Sequence, residues 1–312
     1  MPIDIPPGTI IFQEFLIQSQ IGVGSSATVF CVRDEANNDY ADYKALKLTE
    51  INETNRKSFI AEVTALLKLK NLSAVPNFTI SFETKDYFGI VMSLQGDSLY
   101  SLRTNCGSDS ISAKAALCIA YHLFDGIHIF QSQGILHRDV TMRNLCFKTN
   151  HKGYMNPIVI LDFGSSERII ENPDPLHSES MFKDSRYVTP NMSDQNPTVR
   201  KDDAFMAVYL LLELFDWNVF GTHTRATKDS VMRKKLQFET EPEKFTKIPW
   251  IIKIVKCLNS NLYEEKPNFA EVKSIIRKAM KDFDPRLTVS TASLHLHWFS
   301  LVAHLFVEHS LF

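Results

Sequence analysis

Two short polar stretches near the middle of the chain contain residue types that can handle protons and divalent metal ions. The first, 137–144, reads H-R-D-V-T-M-R-N, and the second, 161–164, reads L-D-F-G. Carboxylate and carboxamide oxygens are ligands suited to Mg²⁺, and a carboxylate beside a hydroxyl can accept its proton. Asp139, Asn144 and Asp162 therefore form a set suited to phosphoryl transfer, in which a protein mainly positions the reactants while metal ions neutralise phosphate charge.

The two stretches, in this order, resemble motifs of eukaryotic protein kinases. The second is preceded by the hydrophobic run 158–161, which is typical of a buried strand. The resemblance implies that Asp139 accepts the proton of the substrate hydroxyl and that Asn144 and Asp162 hold Mg²⁺. It also implies that ATP is the phosphoryl donor. Each motif alone recurs by chance, and the alternative is a pair of unrelated polar loops.

Residues 21–30, which read I-G-V-G-S-S-A-T-V-F, predict a turn between two strands. A glycine pair is ordinary hairpin chemistry, so this segment alone does not indicate a function. Within the kinase resemblance it matches the start of G-x-G-x-x-G-x-V, with Ala27 in place of the third glycine. That match implies a hairpin over the ATP phosphates and a valine packed on the adenine. The implied nucleotide contacts are Ile21, Gly22, Val23, Gly24 and Val29.

A lysine lies in the predicted strand 43–48, where burying its ammonium is costly unless it is paired. Apolar residues at helical spacing predict a helix over 57–70. These residues are Ile60, Val63, Leu66 and Leu67. The helix carries Glu62, fifteen residues after Lys47, and this separation resembles that of the lysine–glutamate pair in kinases. The resemblance implies that Ala45, Lys47 and Glu62 belong to the nucleotide site. As an alternative, Glu62 is a solvated helix residue.

The runs 77–82 and 87–92 predict a second hairpin that leads into a connector of small residues. Such a connector is typical of a hinge between two lobes, although it can also be a plain strand end. The pattern V-M-x-L-x-G-x-S-L at the end of this hairpin is similar to the hinge of the casein kinase I group, tau-tubulin kinases included. The similarity implies that Met92 lies behind the adenine and that the backbone of Ser93 and Gln95 binds the edge of the base.

The second half of the chain carries further patterns of the same group. A long helix is predicted over 112–133, ended by Gly134. Its predicted apolar face consists of Leu117, Ala120, Phe124 and Ile127. The sequences R-K-D-D at 200–203 and Y-E-E-K-P-N-F at 263–269 resemble the start of the large central helix and the signature before the final helix of casein kinase I enzymes. The resemblance therefore extends over residues 17–280.

The segment 164–190 is long, and a loop of this length in a compact domain is usually functional. In the kinase resemblance it is the activation segment. Arg186 then matches an arginine that binds an acidic or phosphorylated residue of the substrate, and we assign Lys235 to the same role. An unpaired surface arginine is the alternative for Arg186.

Together these patterns predict an α+β, bilobal protein kinase fold. It has a small β-rich N-lobe with one main helix, and a larger, mainly helical C-lobe. The predicted boundaries are 15–95 for the N-lobe and 96–284 for the C-lobe. Residues 285–312 form an apolar, histidine-containing tail that is too polar for a membrane span and for which we predict no particular structure.

Composition and charge give no sign of an affinity for nucleic acid or for a membrane surface. The chain has 312 residues, of which 44% are hydrophobic and 22% charged, and a formal net charge of −2. Its five cysteines include no C-x-x-C spacing, which indicates reduced thiols and a location in the cytosol or the nucleus. No basic flank followed by an apolar run marks a signal peptide. We expect a monomer whose partners are protein substrates, acidic or already phosphorylated.

The first motif departs from serine/threonine kinases at one position. Two residues after Asp139, where these enzymes carry a lysine that steadies the transferred phosphate, the chain has Thr141. Arg143 is the candidate replacement, and its place before Asn144 resembles the corresponding loop of tyrosine kinases. We therefore predict an active serine/threonine kinase and keep two alternatives. These are a nucleotide-binding pseudokinase that acts as an adaptor and a tyrosine-directed kinase.

Overall fold

The computed structural model describes residues 3–35, 43–105, 112–148, 158–169, 186–216, 218–222, 226–281 and 283–284. Its first part is an antiparallel sheet with one helix, and its second part is mainly helical. The predicted bilobal α+β architecture is confirmed. The predicted lobe boundaries stay predictions, and the predicted tail lies outside the described residues. Within the described ranges, none of the helices combines the length and the apolar composition needed to cross a bilayer.

The small lobe is built on a six-stranded sheet with the order β1-β2-β3-β4-β6-β5. Side chains alternate between the two faces of each strand, so directly paired residues share a face. Val29 pairs with Lys47, and Ala45 pairs with Met92, which places all four on the inner face. The strands are β1 (Ile10–Ile11), β2 (Phe15–Val23), β3 (Ala27–Asp34), β4 (Tyr43–Glu50), β5 (Phe78–Glu83) and β6 (Tyr87–Ser93).

The outer face of this sheet has an apolar cluster of its own. It includes Phe30, Val32 and Leu46, and it is separate from the main core. The segment that precedes β1 covers it, since Ile3 is buried in this cluster and its backbone N–H donates to Thr28 Oγ1 at 3.0 Å. Both faces of the sheet are therefore buried, and the inner face joins the core of the large lobe.

The one long helix of the small lobe is α1 (Glu53–Lys68), which begins four residues before the predicted start at 57. Its cap is the side chain of Asn52, which accepts a hydrogen bond from the Asn55 N–H. Glu62 is buried, whereas Ile60 and Leu67 are 55% and 53% exposed. The predicted apolar face is therefore wrong for these two residues. The helix turns its Glu62 side towards the sheet, and the opposite side faces solvent.

The large lobe is organised around two long buried helices that pack against each other, α3 and α5. The prediction for α3 is confirmed, because Ser112 caps it by accepting from the Ala115 N–H, and all four residues of its predicted apolar face are buried. Gly134 follows it with a φ of 70°, which suits glycine. The helices are α2 (Leu99–Asn105), α3 (Ala113–Ser132), α4 (Pro190–Ser193), α5 (Arg200–Phe215), α6 (Lys228–Thr240), α7 (Pro249–Leu258) and α8 (Phe269–Lys278).

Four short strands frame the two polar motifs. Strand β7 (Ile135–Leu136) pairs with β10 (Glu167–Arg168), and β8 (Leu145–Phe147) pairs with β9 (Ile158–Ile160). The loop 137–144 connects β7 to β8, and the D-F-G motif connects β9 to β10. Since both ladders are antiparallel, the two motifs are held side by side.

The pairing of Gly89 with Phe82 generates a prediction about the small lobe. A Cβ on Gly89 would lie 2.3 Å from the Phe82 ring. That ring cannot retreat freely, because Phe12 stacks on it with the two centroids 4.4 Å apart. We expect Gly89→Ala to lower the free energy of unfolding by about 1–3 kcal/mol, the usual cost of overpacking. Denaturant unfolding of both proteins measures this difference.

The same substitution in a Phe82→Leu background is the matched control. With the ring removed, the Cβ has room, so the cost of Gly89→Ala should fall to less than half. Equal costs in the two backgrounds would show that the ring is not the obstacle.

Candidate active site

An ion-pair cluster joins the two lobes. Lys47 Nζ in β4 lies 2.6 Å from Glu62 Oε2 in α1 and 2.8 Å from Asp162 Oδ1, which follows β9. The three residues come from three separate elements, and the structure brings them into direct contact. The reading of Glu62 as a solvated helix residue is wrong, because its side chain is only 4% exposed.

The charges of this cluster stabilise one another. Burial alone would lower the pKa of Lys47, but Asp162 and Glu62 raise it, so the ammonium stays charged. Burial acts to raise the pKa of Asp162. The charge of Lys47 and hydrogen bonds from Lys47 and the Gly164 N–H nevertheless lower it to about 2. Burial raises the pKa of Glu62 against the opposing effect of Lys47. Asp162 is thus an anion at neutral pH, and its side chain is 45% exposed.

Packing of the neighbouring residue orients Asp162. Phe163 is fully buried, and its ring lies 4.7 Å from the His137 ring and 5.2 Å from the Phe130 ring, measured between centroids. Asp162 itself has a φ of 63°, in the left-handed region that residues other than glycine rarely adopt. The buried ring therefore fixes a strained backbone conformation in which the carboxylate meets Lys47.

A close approach of α1 tightens the same turn. Ser58 Oγ donates to the Gly164 carbonyl at 2.9 Å. A Cβ on Gly164 would lie 2.3 Å from Ser58 Oγ, so only glycine fits here without a shift. Neither residue was among the predicted site residues. The D-F-G pattern contained a signal for Gly164, whereas nothing in the sequence pointed to Ser58.

The loop 137–144 is held by side-chain carboxamide and carboxylate groups. Asn144 Nδ2 donates to the Asp139 carbonyl at 2.9 Å and to Asp139 Oδ2 at 2.8 Å. Asp203 of α5 accepts hydrogen bonds from the backbone N–H groups of His137 at 2.9 Å and Arg138 at 2.8 Å. Both ends of the loop's polar sequence are thereby fixed, and Asn144 lies beside the Asp139 carboxylate.

His137 links the two motifs. Its Nδ1 accepts the Asp139 N–H at 3.2 Å, so its Nε2 carries the proton and donates to the Leu161 carbonyl at 3.1 Å. Burial lowers the pKa of His137 to about 4, and the ring is neutral at neutral pH. Sequence analysis assigned no role to this histidine. Its place between an apolar strand and a charged loop was the available signal.

The glycine hairpin lies on the strands next to the ion-pair cluster. The Gly24 N–H donates to the Ala27 carbonyl at 2.8 Å, which closes the turn. Gly22 pairs with Val29, and Val29 pairs in turn with Lys47. Two further residues of this hairpin that were predicted to contact the nucleotide are exposed. The exposed fraction is 49% for Ile21 and 55% for Val23. The register therefore places the five predicted residues at the tip and edge of one hairpin beside Lys47.

The predicted hinge has a specific hydrogen-bond pattern. Ala45 and Met92 are paired and almost fully buried. The Ser93 N–H is occupied, because it donates to the Asn77 carbonyl at 2.9 Å. The Ser93 carbonyl accepts from Gln95 Nε2 at 3.0 Å and has a second lone pair available. A base bound here would therefore meet the carbonyl of Ser93 rather than its N–H.

The predicted cations Arg143 and Arg186 each contact an aromatic ring. Arg143 is exposed, and its guanidinium lies 3.7 Å from the centroid of the Tyr100 ring in α2. Arg186 lies 5.5 Å from the Tyr187 ring centroid. The roles assigned to these arginines stay predictions. For Lys235, the predicted contact with a substrate is wrong.

Lys235 is a buried structural residue. Its side chain has no exposed surface, its Nζ donates to the Val188 carbonyl at 2.6 Å, and the ammonium lies 4.6 Å from the Tyr209 ring centroid. A substrate cannot reach it. Lysine in an amphipathic helix usually faces solvent, but here a carbonyl and an aromatic face provide the favourable surroundings that a buried ammonium requires.

Asp162 and Asn144 are the residues that could hold Mg²⁺. Among the described residues there is no group of three or more His, Cys, Asp or Glu side chains that could hold a metal by itself. Mg²⁺ typically binds one or two protein ligands and completes its shell with phosphate oxygens and water. An ionised, partly exposed Asp162 fits that requirement. Asn144 is close in the fold, since its carbonyl accepts the N–H of Leu161, the residue before Asp162, at 2.7 Å.

Comparison with known proteins agrees with this geometry. Residues 15–299 match the family described as Protein kinase domain. The chain belongs to this family. The solved structure of vaccinia related kinase 3 superposes on this chain with a TM-score of 0.73 and 16% sequence identity. The superposition covers 91% of this chain and 94% of that chain. The likeness to that structure shows the protein kinase fold.

Sequence relatives of this kinase are distant. It is 24% identical to a probable serine/threonine-protein kinase of Dictyostelium discoideum, over 86% of this chain and 54% of the relative. It is 26% identical to a putative casein kinase I of Caenorhabditis elegans, over 67% of this chain and 62% of the relative. It is 24% identical to a probable casein kinase I homolog of Encephalitozoon cuniculi, over 85% of this chain and 84% of the relative. The chain thus spans less than two thirds of the first two relatives.

The low pKa of His137 predicts a loss of stability in acid. Between about pH 4 and its ordinary value of 6.5, the unfolded chain binds the proton more readily than the folded one. The contribution of neutral His137 is therefore complete above pH 6.5 and is lost as the pH falls towards 4. We expect this group to lower the free energy of unfolding by up to about 3 kcal/mol, from about 1.4 kcal/mol per pKa unit. Urea unfolding at several pH values measures it.

The variant His137→Phe isolates this contribution. Burial raises the pKa values of Asp203 and Glu239, to about 6 and about 7, so these groups act with the opposite sign. They are present in both proteins and cancel in the difference. The difference between wild type and variant should shrink as the pH falls from 6.5 to 4. A constant difference would contradict the assigned titration.

Proposed function

We propose that this kinase transfers the γ-phosphoryl group of ATP to serine or threonine hydroxyls of protein substrates. The observation that carries the proposal is the contact of Lys47 with both Glu62 and Asp162, on a motif that His137 links to Asp139, whose carboxylate Asn144 holds. Cation, metal ligands and base are the parts that phosphoryl transfer requires. The relatives named as serine/threonine kinase and casein kinase I support the choice of hydroxyl substrates.

Each group has a distinct task in this proposal. Lys47 binds phosphate oxygens while Glu62 keeps its ammonium in place. Asp162 and Asn144 hold Mg²⁺, which supplies neutralising charge to the phosphates when bound. Asp139 orients the acceptor hydroxyl and takes its proton, with its carboxylate fixed by Asn144 Nδ2. The hairpin 21–29 and the hinge residues 92–95 bind the rest of the nucleotide.

The finer assignments are also proposals. Two relatives named as casein kinase I, together with the hinge and 263–269 patterns, support a place near the casein kinase I group. We extend the proposal to acidic or already phosphorylated protein substrates bound near Arg186, to a monomeric state and to the cytosol or nucleus. None of these depends on Lys235.

A second candidate, a nucleotide-binding adaptor without transfer activity, is favoured by the surroundings of residue 141. Thr141 takes the place of the phosphate-steadying lysine and is only 5% exposed. Its proposed replacement, Arg143, stacks on Tyr100. Nucleotide binding alone therefore does not establish transfer, and the two must be measured separately.

Lys47→Met tests nucleotide binding. Loss of the ammonium should abolish most of the rise in melting temperature that saturating ATP and Mg²⁺ cause, because a ligand bound only to the folded state stabilises it. The matched control is Lys44→Met on the opposite face of β4, where Lys44 pairs with Asp34 at 2.7 Å. This control should keep the shift. An unchanged shift in Lys47→Met would place the nucleotide elsewhere.

Asp139→Asn tests transfer. With labelled ATP, Mg²⁺ and an acidic protein, we expect this variant to transfer at least about 100-fold more slowly than wild type, since loss of a positioned base costs roughly that factor. The variant should still bind nucleotide. The control Asp86→Asn changes an exposed carboxylate in the turn after β5 and should be fully active.

The products distinguish the alternatives. Phosphoserine or phosphothreonine supports the proposal, and phosphotyrosine supports the tyrosine-directed alternative. Wild type that binds ATP and transfers nothing to any acceptor supports the adaptor. Undiminished transfer by Asp139→Asn would refute the assigned base.

A further inference from the structure

A short N-terminal segment lies behind the glycine hairpin, on the side of the sheet opposite the ion-pair cluster. Residues 3–11, here called the strap, include β1 and pack on the outer face of the small-lobe sheet. Ile3 is 5% exposed and belongs to the outer apolar cluster, and Ile5 and Ile11 pack against the same cluster. The strap is therefore held on the sheet by three apolar side chains.

Hydrogen bonds fix the two ends of the strap to different strands. At one end it follows the edge of β2, where the Gly8 N–H donates to the Ile17 carbonyl at 2.9 Å. The Ile17 N–H donates in turn to the Thr9 carbonyl at 2.9 Å. At the other end, the Ile3 N–H donates to Thr28 Oγ1 in β3 at 3.0 Å. Because β3 is the strand next to β2, the strap crosses β2 on its outer side.

Thr28 lies at the tip of the glycine hairpin. It pairs with Val23, the last residue of β2 before the turn. Successive side chains of a strand point to opposite faces, so Thr28 faces the strap while Val29 faces the inner side with Lys47. Thr28 is only 1% exposed, and a buried hydroxyl and a buried backbone N–H both need a hydrogen-bond partner. The contact between Ile3 and Thr28 provides a partner for both groups.

The ladder of the hairpin itself is irregular near its tip. Between Ile17 and Ser19, and again between Gln20 and Gly22, β2 carries one more residue than the stretch of β3 that pairs with it. Such bulges leave a residue unpaired and disrupt the ladder locally. Strand β2 therefore enters the turn with a weakened ladder, and the strap braces it from the outer face.

We propose that Thr28 is a positioning residue for nucleotide binding and that the strap bound to it braces the glycine hairpin. The inference rests on the proposed function, because it concerns the same nucleotide site. When the contact between Ile3 and Thr28 is broken, the hairpin tip 22–28 occupies additional positions, and a nucleotide binds only the fraction in which the tip fits the phosphates. The apparent affinity then falls, whereas the groups proposed to transfer phosphate stay in place.

Thr28→Val tests the contact, because valine keeps the shape of the threonine side chain and removes the acceptor. The probe is ADP with Mg²⁺, titrated by calorimetry. We expect its dissociation constant to rise by about 2- to 10-fold, the factor to which the net contribution of one hydrogen bond corresponds. The kcat for transfer at saturating ATP should stay close to wild type. Thr28→Ser keeps the hydroxyl and should bind ADP as wild type does.

Hydrogen exchange locates the effect in the structure. The amides of 22–28 should exchange faster in Thr28→Val than in wild type, while those of α1 and β6 keep their wild-type rates. Ile3→Asn breaks the contact from the side of the strap and should have the same two effects. The double variant should bind ADP no more weakly than the weaker single variant, because both changes remove one interaction.

Val32→Ala is the matched control. Val32 belongs to the same outer cluster, but it pairs with Ile17 near the base of the hairpin, away from the turn. Its truncation should lower the melting temperature and leave the ADP dissociation constant unchanged. This control distinguishes a general loss of small-lobe stability from release of the strap.

The outcomes separate this inference from the proposed function. If wild type binds ADP and Thr28→Val binds it equally well, the positioning role is wrong and the proposed function stands. An equal loss of affinity in Val32→Ala, additive effects in the double variant, or faster exchange throughout the small lobe would also overturn the role. Should Thr28→Val fail to fold, Ile3→Asn must still show weaker ADP binding and faster exchange of 22–28. If wild type binds no nucleotide, the proposed function and this role fall together.

Discussion

The structure depends on one ammonium group shared between two carboxylates from different elements. Only 15% of the Lys47 side chain is exposed in the sheet, and a charge so far removed from water is tolerated only when it is paired and hydrogen-bonded. Glu62 supplies one partner from α1, and Asp162 supplies the other from the large lobe. The helix must turn its Glu62 side inwards to make this contact, which leaves Ile60 and Leu67 in solvent. The electrostatic requirement of one side chain thus sets the rotation of a helix.

The same requirement explains the conformation of the D-F-G turn. Asp162 reaches Lys47 with a left-handed backbone, and burial of Phe163 against His137 and Phe130 compensates the strain. Gly164 allows α1 to approach closely enough for Ser58 to donate to its carbonyl. Helix α1 contacts Gly164 through Ser58 and contacts Lys47, the partner of Asp162, through Glu62. The position of α1 is therefore coupled to the position of Asp162.

A second constraint comes from the beginning of α5. Asp203 accepts two backbone N–H groups of the loop 137–144. Its neighbour Asp202 accepts from Asn191 Nδ2 at 2.9 Å and from the Val199 N–H at 2.8 Å, and it also binds the Thr189 hydroxyl. Two adjacent carboxylates on one buried helix therefore position both the loop 137–144 and the segment that begins α4. The helix serves as the reference for the large lobe.

Local patterns made much of this predictable. The two motifs are short and carry their chemistry in residue type, and α3 has an apolar period long enough to define the helix and a serine to cap it. Contacts between distant residues were not predictable. Lys235 was wrongly assigned to substrate binding because its burial depends on the Val188 carbonyl and the Tyr209 ring, both far away in sequence. The hinge pattern predicted that the backbone of Ser93 binds the base, but it did not predict that the Ser93 N–H donates to the Asn77 carbonyl, which belongs to another strand end.

The charge balance of the site indicates where the unusual Thr141 has its effect. Glu62, Asp139 and Asp162 contribute three acidic side chains, and Lys47 is the ammonium that contacts two of them. The loop 137–144 contains two arginines. Arg138 pairs with Glu167, and Arg143 stacks on the Tyr100 ring. A bound nucleotide adds further negative charge. Under the proposed function, and without a lysine at position 141, neutralisation of the transferred group would fall mainly to divalent cations held by Asp162 and Asn144. The proposed transfer reaction should therefore depend more steeply on Mg²⁺ than in enzymes that carry the lysine, which initial rates over a Mg²⁺ titration at fixed ATP would measure.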